Sequence, residues 1–255
     1  MIRGVLSGKG GVGKTTTTIN LGLAMHILGE NVVVVDGDIK NSNLGLHLGI
    51  LKYNTTLQEV IEKKISILNA LYIHETGLRF IPAHVSLNFL ETDLSNFKNF
   101  LKKCPYNLLI DSPPGLNKES LSVLRSCDEI LVVLEPYLPD ITDCMKTIEL
   151  AKEMNIKIGG IILNKQRNKN YEFGKEEIEA CTNTKVISTI PFDENILRSL
   201  KLKNPIVNYR PLSKASINYF KLASELSGKE FKVPKLLGLR RVLQFVNQKP
   251  NFFGL

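Results

Sequence analysis

Eight residues near the N-terminus limit what this chain can fold into more than any other feature. Gly8-Lys9-Gly10-Gly11-Val12-Gly13-Lys14-Thr15 fits the spacing GxxxxGK[ST]. Before it, Ile2 to Ser7 reads as a short strand; after it, Thr15 to Leu28 reads as a largely apolar helix. A polyphosphate needs several backbone N–H groups pointing inward, and glycines let the backbone come close. The helix N-terminus adds its dipole and its unpaired N–H groups. In this spacing Lys14 neutralises the β- and γ-phosphates, and the Thr15 hydroxyl coordinates Mg²⁺. The candidate binding set is Gly8, Lys9, Gly10, Gly11, Val12, Gly13, Lys14, Thr15 and Thr16.

The rest of the chain alternates strand and helix. Asn31 to Asp36 contains four consecutive valines, a run suited to burial on both faces of a sheet. Leu71 to Ile73, Leu78 to Ile81, Asn107 to Asp111, Ile130 to Leu134, Lys157 to Leu163 and Lys185 to Ile190 read as strands. Leu57 to Lys63, Ser95 to Lys102, Asp140 to Met154, Glu172 to Ala180, Glu194 to Leu202 and Leu212 to Leu226 read as helices. The expected fold is α/β: a doubly wound, mostly parallel sheet flanked by helices.

The loop carries a second lysine, Lys9, and reads KGGVGKTT. Here the sequence resembles the MinD/ParA family of ATPases with a deviant phosphate loop, most closely its MinD branch. The resemblance runs from residue 1 to about 228 and implies a P-loop fold, ATP and Mg²⁺ as cofactors, and hydrolysis to ADP and phosphate. It implies an ATP-dependent homodimer in which Lys9 reaches the partner's phosphates, as an arginine finger does. VVDGDIKNSNLGLHLG resembles the family's first switch, which places Asp38 and Asn43 toward the nucleotide. Asp38 either orients the attacking water or holds the metal's outer shell. Asp111 ends an apolar strand and opens DSPPGL, where a carboxylate holds the hydration shell of Mg²⁺. MinD-like chains typically read DSPAG at this point, so Pro114 is a departure. The expected catalytic residues are Lys9, Lys14, Asp38 and Asp111, and the expected metal residues are Thr15, Asp38 and Asp111. Asn164 after GGIILN and Pro191 after VISTI match family positions that border the adenine.

Charge separates the C-terminus from the body. Residues 201–255 hold eleven Lys or Arg and two Asp or Glu, while residues 1–200 hold 22 and 23. A basic end points to a polyanion. On a helical wheel, Leu236, Leu239, Val242, Leu243, Phe245 and Val246 share one half; Arg240, Arg241, Gln244 and Asn247 share the other, with Leu237 the exception. This is a basic amphipathic helix, marginal in water at this length and with Gly238 inside it. A short C-terminal amphipathic helix of this kind binds the membrane in MinD proteins, so the resemblance implies an ATPase domain over 1–228, a linker over 229–234 and a membrane-targeting segment over 235–255, with 235–247 meeting an anionic surface.

The expected function is a MinD-like ATPase that cycles on a membrane and positions the division machinery, as at a septum site, or another assembly. An unidentified protein would activate it. One alternative is a ParA-like ATPase that binds DNA nonspecifically for chromosome or plasmid partition. Another is a metallochaperone-type ATPase holding metal through cysteines at a dimer interface. Cys104, Cys127, Cys144 and Cys181 are scattered without CxxC spacing, which argues against a disulfide framework or a metal site within one chain. The longest apolar runs are far shorter than the roughly 18 residues of a membrane span. With no secretory pattern at the N-terminus, the expected location is cytoplasmic, peripheral on the inner face of the cell membrane.

Overall fold

A computed structural model describes residues 1–84, 94 and 96–233. The amphipathic segment 235–247 lies outside the described residues. Eight strands form one sheet: β1 (Ile2–Leu6), β2 (Val32–Asp36), β3 (Tyr72–Ile73), β4 (Arg79–Ile81), β5 (Asn107–Asp111), β6 (Glu129–Leu134), β7 (Lys157–Gln166) and β8 (Val186–Pro191). Their order is β3-β4-β2-β5-β1-β6-β7-β8. Every pairing is parallel except β3 with β4.

The helices are α1 (Lys14–Ile27), α2 (Leu44–Leu48), α3 (Leu57–Glu62), α4 (Phe97–Leu101), α5 (Lys118–Ser126), α6 (Leu138–Glu153), α7 (Lys175–Thr182), α8 (Glu194–Lys201), α9 (Ile206–Tyr209) and α10 (Lys214–Ser227). They cover both faces of the sheet, which explains the unbroken apolar strands. In β2, Val33 and Val35 enter one core with Leu57, Phe97 and Ile110. Val32 and Val34 enter the other with Ile19, Leu23 and Tyr219. Successive side chains of one strand thus feed opposite cores, so a polar residue anywhere in the run would be buried.

Several expected elements shift by a few residues. α7 begins at Lys175 instead of Glu172. The Glu172 carboxylate accepts the N–H groups of Arg167 and Lys169, which commits it to a turn. The Glu177 carboxylate accepts the Gly174 N–H at 2.6 Å and starts the helix there. α10 stops at Gly228, whose φ of +67° suits glycine at a helix C-terminus. Beyond it, Phe231 stacks on Phe220 with ring centroids 5.0 Å apart, so this part of the expected linker packs against α10.

The strand order places the chemistry. β1 lies between β5 and β6, and the C-terminal ends of β1, β2 and β5 open on one edge. Open α/β sheets bind ligands beyond those carboxyl ends.

Candidate functional site

The loop from Ser7 to Gly13 joins β1 to α1 and borders a cleft of about 530 Å³. Gly10, Gly11, Gly13, Lys14, Thr15 and Thr16 line it, with Asp38, Asn41 and Asn43 from the loop after β2. Ser112 and Pro114 line it after β5, Asn164 and Lys165 come from β7, and Ile196, Leu197 and Leu200 come from α8. Gly13 has φ +92°, and a Cβ there would run into Asn164 Nδ2. The position is closed to other residues by both conformation and space.

Lys14 is almost fully buried. Its Nζ donates to Ser7 Oγ at 2.8 Å and lies 3.5 Å from the Lys9 carbonyl. Burial lowers its pKa, against the opposing pull of Asp111 and Asp38. A cation held this way is drawn to a polyphosphate, which restores its lost counter-charge.

Thr15 Oγ1 donates to Asp111 Oδ2 at 2.6 Å. Thr18 Oγ1 lies 3.3 Å from Asp111 Oδ1. Asp111 is buried, and desolvation pushes its pKa up to about 6 despite those hydroxyls and Lys14. A desolvated carboxylate beside a hydroxyl is a fitting donor set for a hard cation and its waters. Asp38 is nearly buried and lines the same cleft; burial raises its pKa, while the Asn41 N–H bonded to it at 3.1 Å opposes that rise. Asn43 also lines the cleft, with its Nδ2 donating to the Asn41 carbonyl at 2.7 Å.

Asn164 is buried at the far wall. Its Nδ2 donates to the Val12 carbonyl at 2.7 Å, and its Oδ1 is buried without a partner among the described residues. The open acceptor suits a donor such as an exocyclic amine of a base. Pro191 is not among the residues lining the cleft. It lines the neighbouring groove between β8 and α10, with Lys214 and Lys221.

Lys9 does not enter the cleft. Its Nζ pairs with Asp140 Oδ2 at 2.8 Å in the first turn of α6. The hydrogen bond to Asp140 is the main cause of its raised pKa.

Sequence reasoning missed several residues that shape this site. Asp36 accepts from the Asp38 N–H at 3.1 Å and from Ser42 Oγ at 2.7 Å, and so folds the loop that carries Asp38. Burial pushes its pKa up to about 8. Lys40 pairs with Glu119 at 2.5 Å, joining the loop after β2 to the first turn of α5. Asp36 stood two residues before Asp38 at the end of an apolar strand, which was a usable signal. Asp140, Glu135 and Lys165 carried none, because their partners are more than 20 residues away.

Comparison with known proteins agrees with this geometry. A ParA-family profile, described as NUBPL iron-transfer P-loop NTPase, matches residues 1–227. An ATP-binding protein of Methanocaldococcus jannaschii is 32% identical over 259 residues, covering 100% of this chain and 98% of its own. Chromosome partitioning protein ParA of Caulobacter vibrioides is 31% identical over 245 residues, with 87% and 92% covered. The crystal structure of the Pyrococcus furiosus cell division ATPase MinD is 31% identical, covers 89% of this chain and 98% of its own, and has a TM-score of 0.84. Septum site-determining protein MinD of Pyrococcus horikoshii, solved with Mg-ADP, is 31% identical with the same TM-score and covers 94% and 98%. The chain belongs to the ParA family of P-loop ATPases, enzymes that act on ATP with Mg²⁺.

Proposed function

We propose that this chain is a MinD-like ATPase that dimerises on ATP, cycles on and off a membrane, and positions the division machinery or another cellular assembly. The observation that carries the reading is the disposition of the two loop lysines. Lys14 is buried in the cleft, whereas Lys9 is 44% exposed and turned to Asp140. One lysine serves the chain's own phosphates. The other stays outside the cleft, held by Asp140, and would leave that partner to serve a second copy.

In this reading Lys14 and the inward N–H groups of the loop hold the phosphates. Thr15 and Asp111 would hold Mg²⁺, which would supply positive charge to the phosphates. Asp38 orients the attacking water from the loop shaped by Asp36. The partner's Lys9 completes the site when two copies close over ATP. Asn164 offers Oδ1 to the adenine amino group, and Ile196, Leu197 and Leu200 supply an apolar wall for the ring.

The basic segment 235–247 supplies the membrane contact. Each basic residue near an anionic leaflet contributes roughly 1 kcal/mol. One such anchor holds weakly, while two on a dimer gain avidity of about 10²–10⁴-fold. ATP would then control attachment through the dimer, and hydrolysis would release it. An activating protein would set the rate.

Flotation with anionic liposomes tests the reading, using ATP and ADP with the full chain and with a chain ending at Gly228. ATP-dependent flotation that is lost on truncation supports it. Absence of flotation by the full chain with ATP overturns the membrane step. The likeness to Caulobacter ParA favours DNA as the second surface. Binding to DNA that falls steeply with salt would mark that case.

A further inference from the structure

β7 ends against the phosphate loop, and two of its last residues hold two neighbouring carbonyls of that loop. Asn164 Nδ2 donates to the Val12 carbonyl at 2.7 Å. Lys165 Nζ donates to the Gly11 carbonyl at 2.6 Å. The same amine pairs with Glu135 Oε1 at 2.7 Å, just beyond the end of β6. Leu134 and Leu163 are partners in the β6–β7 register, so Glu135 and Asn164 continue two adjacent strands. Lys165 adopts φ +58°, an uncommon conformation for a lysine that persists where surrounding contacts hold it.

We propose that Lys165 is a positioning residue for nucleotide binding. Together with Asn164 it engages the Gly11 and Val12 carbonyls in hydrogen bonds, which holds the loop in one conformation before the phosphates arrive. Glu135 fixes the Lys165 amine for that task. A glycine-rich loop has many conformations to lose when it binds, and an external clamp removes part of that loss beforehand. Lys165 lines the cleft, but the loop and Glu135 take two of its three amine donors. It therefore acts through the loop, not as a phosphate ligand. The pair is partly exposed, so it contributes little to global stability.

The test uses full-length protein and the variants Lys165→Ala, Lys165→Arg and Glu135→Gln. Hydrogen exchange of the peptide over residues 8–13 is measured without nucleotide. Affinities for ATP and ADP are measured by calorimetry. We expect faster loop exchange in Lys165→Ala and Glu135→Gln, with melting temperatures close to wild type. Both nucleotides should bind about 10-fold more weakly to Lys165→Ala, and Lys165→Arg should recover most of the loss. Adding Glu135→Gln to Lys165→Ala should cost nothing further. Unchanged loop exchange in Lys165→Ala would overturn the proposal. So would tighter nucleotide binding by Glu135→Gln, which would mean that a released Lys165 contacts phosphate directly. Lys14→Ala is the control for the site itself: if it still binds ATP, the nucleotide site is misplaced, while the loop exchange tests the clamp independently.

Discussion

Lys9 Nζ lies 2.8 Å from Asp140 Oδ2, and the Asp140 side chain is only 1% exposed. Neither Asp140 oxygen has another polar partner among the described residues. Burial holds the Asp140 carboxyl above the usual carboxylate range, against the opposing pull of Lys9. The pair is a latch within one chain. If Lys9 swings out to a second copy, it leaves a buried carboxylate unpaired, and that cost opposes dimer formation.

Asp140→Asn removes the charge that holds Lys9 and would be stranded by its departure. Because Lys9 is partly exposed, the gain is modest. The ATP concentration that half-saturates dimerisation should fall about 2–5-fold. Sedimentation velocity over an ATP titration measures it. An unchanged or higher midpoint would show that the pair does not restrain the lysine.

Asp111→Asn keeps the size of the side chain and removes its charge. ATP turnover should fall by at least ~100-fold, because hydrolysis loses the carboxylate beside Thr15. Nucleotide-free stability should move the other way. With its pKa pushed up to about 6, Asp111 contributes most to stability below the ordinary carboxylate pKa of 3.8 and loses that contribution as pH rises through about 6. The asparagine variant should therefore melt higher than wild type above pH 6. Scanning calorimetry at pH 5 and pH 7.5 checks the sign.

At the opposite end of the sheet, Glu129 accepts from Arg3 Nε at 2.6 Å and pairs with Lys157 Nζ at 2.6 Å. Arg3 and Lys157 are its register partners on β1 and β7. Burial pushes the Glu129 pKa up, but the two cations outweigh it and leave it below the ordinary 4.5. The stability it contributes is present above 4.5 and is lost as pH falls through the lower folded value. Glu129→Gln should cost about 1–3 kcal/mol at pH 7. The gap to wild type should close as pH drops below 4.5, in chemical denaturation curves.

The central strands were legible because β2 and β6 hold uninterrupted apolar runs, and the loop because its glycines and lysines follow a spacing. α5 went unread: KESLSVLRS is polar enough to pass for a loop after Pro113-Pro114-Gly115, yet Asn117 caps it by accepting the Ser120 N–H at 2.9 Å. α2 was too short for any periodicity, at five residues. β7 runs on to Gln166, past the expected Leu163, because Asn164 and Lys165 find their partners in the phosphate loop. Within the site, the residues that would touch phosphate were readable from local pattern. Those that hold the loops in place were not, since Lys9 meets Asp140 and Gly11 meets Lys165 only after the chain has folded.

Mixing two inactive variants tests the trans role of Lys9 most directly. Lys9→Ala lacks the reaching lysine, and Asp38→Ala lacks the carboxylate near the attacking water. In a mixed dimer, the Lys9→Ala subunit keeps its own Asp38 and receives Lys9 from the Asp38→Ala subunit, so one complete site forms. The mixture should hydrolyse ATP when neither variant does so alone. A mixture as inactive as its components, with mixed dimers present by native mass spectrometry, would contradict it.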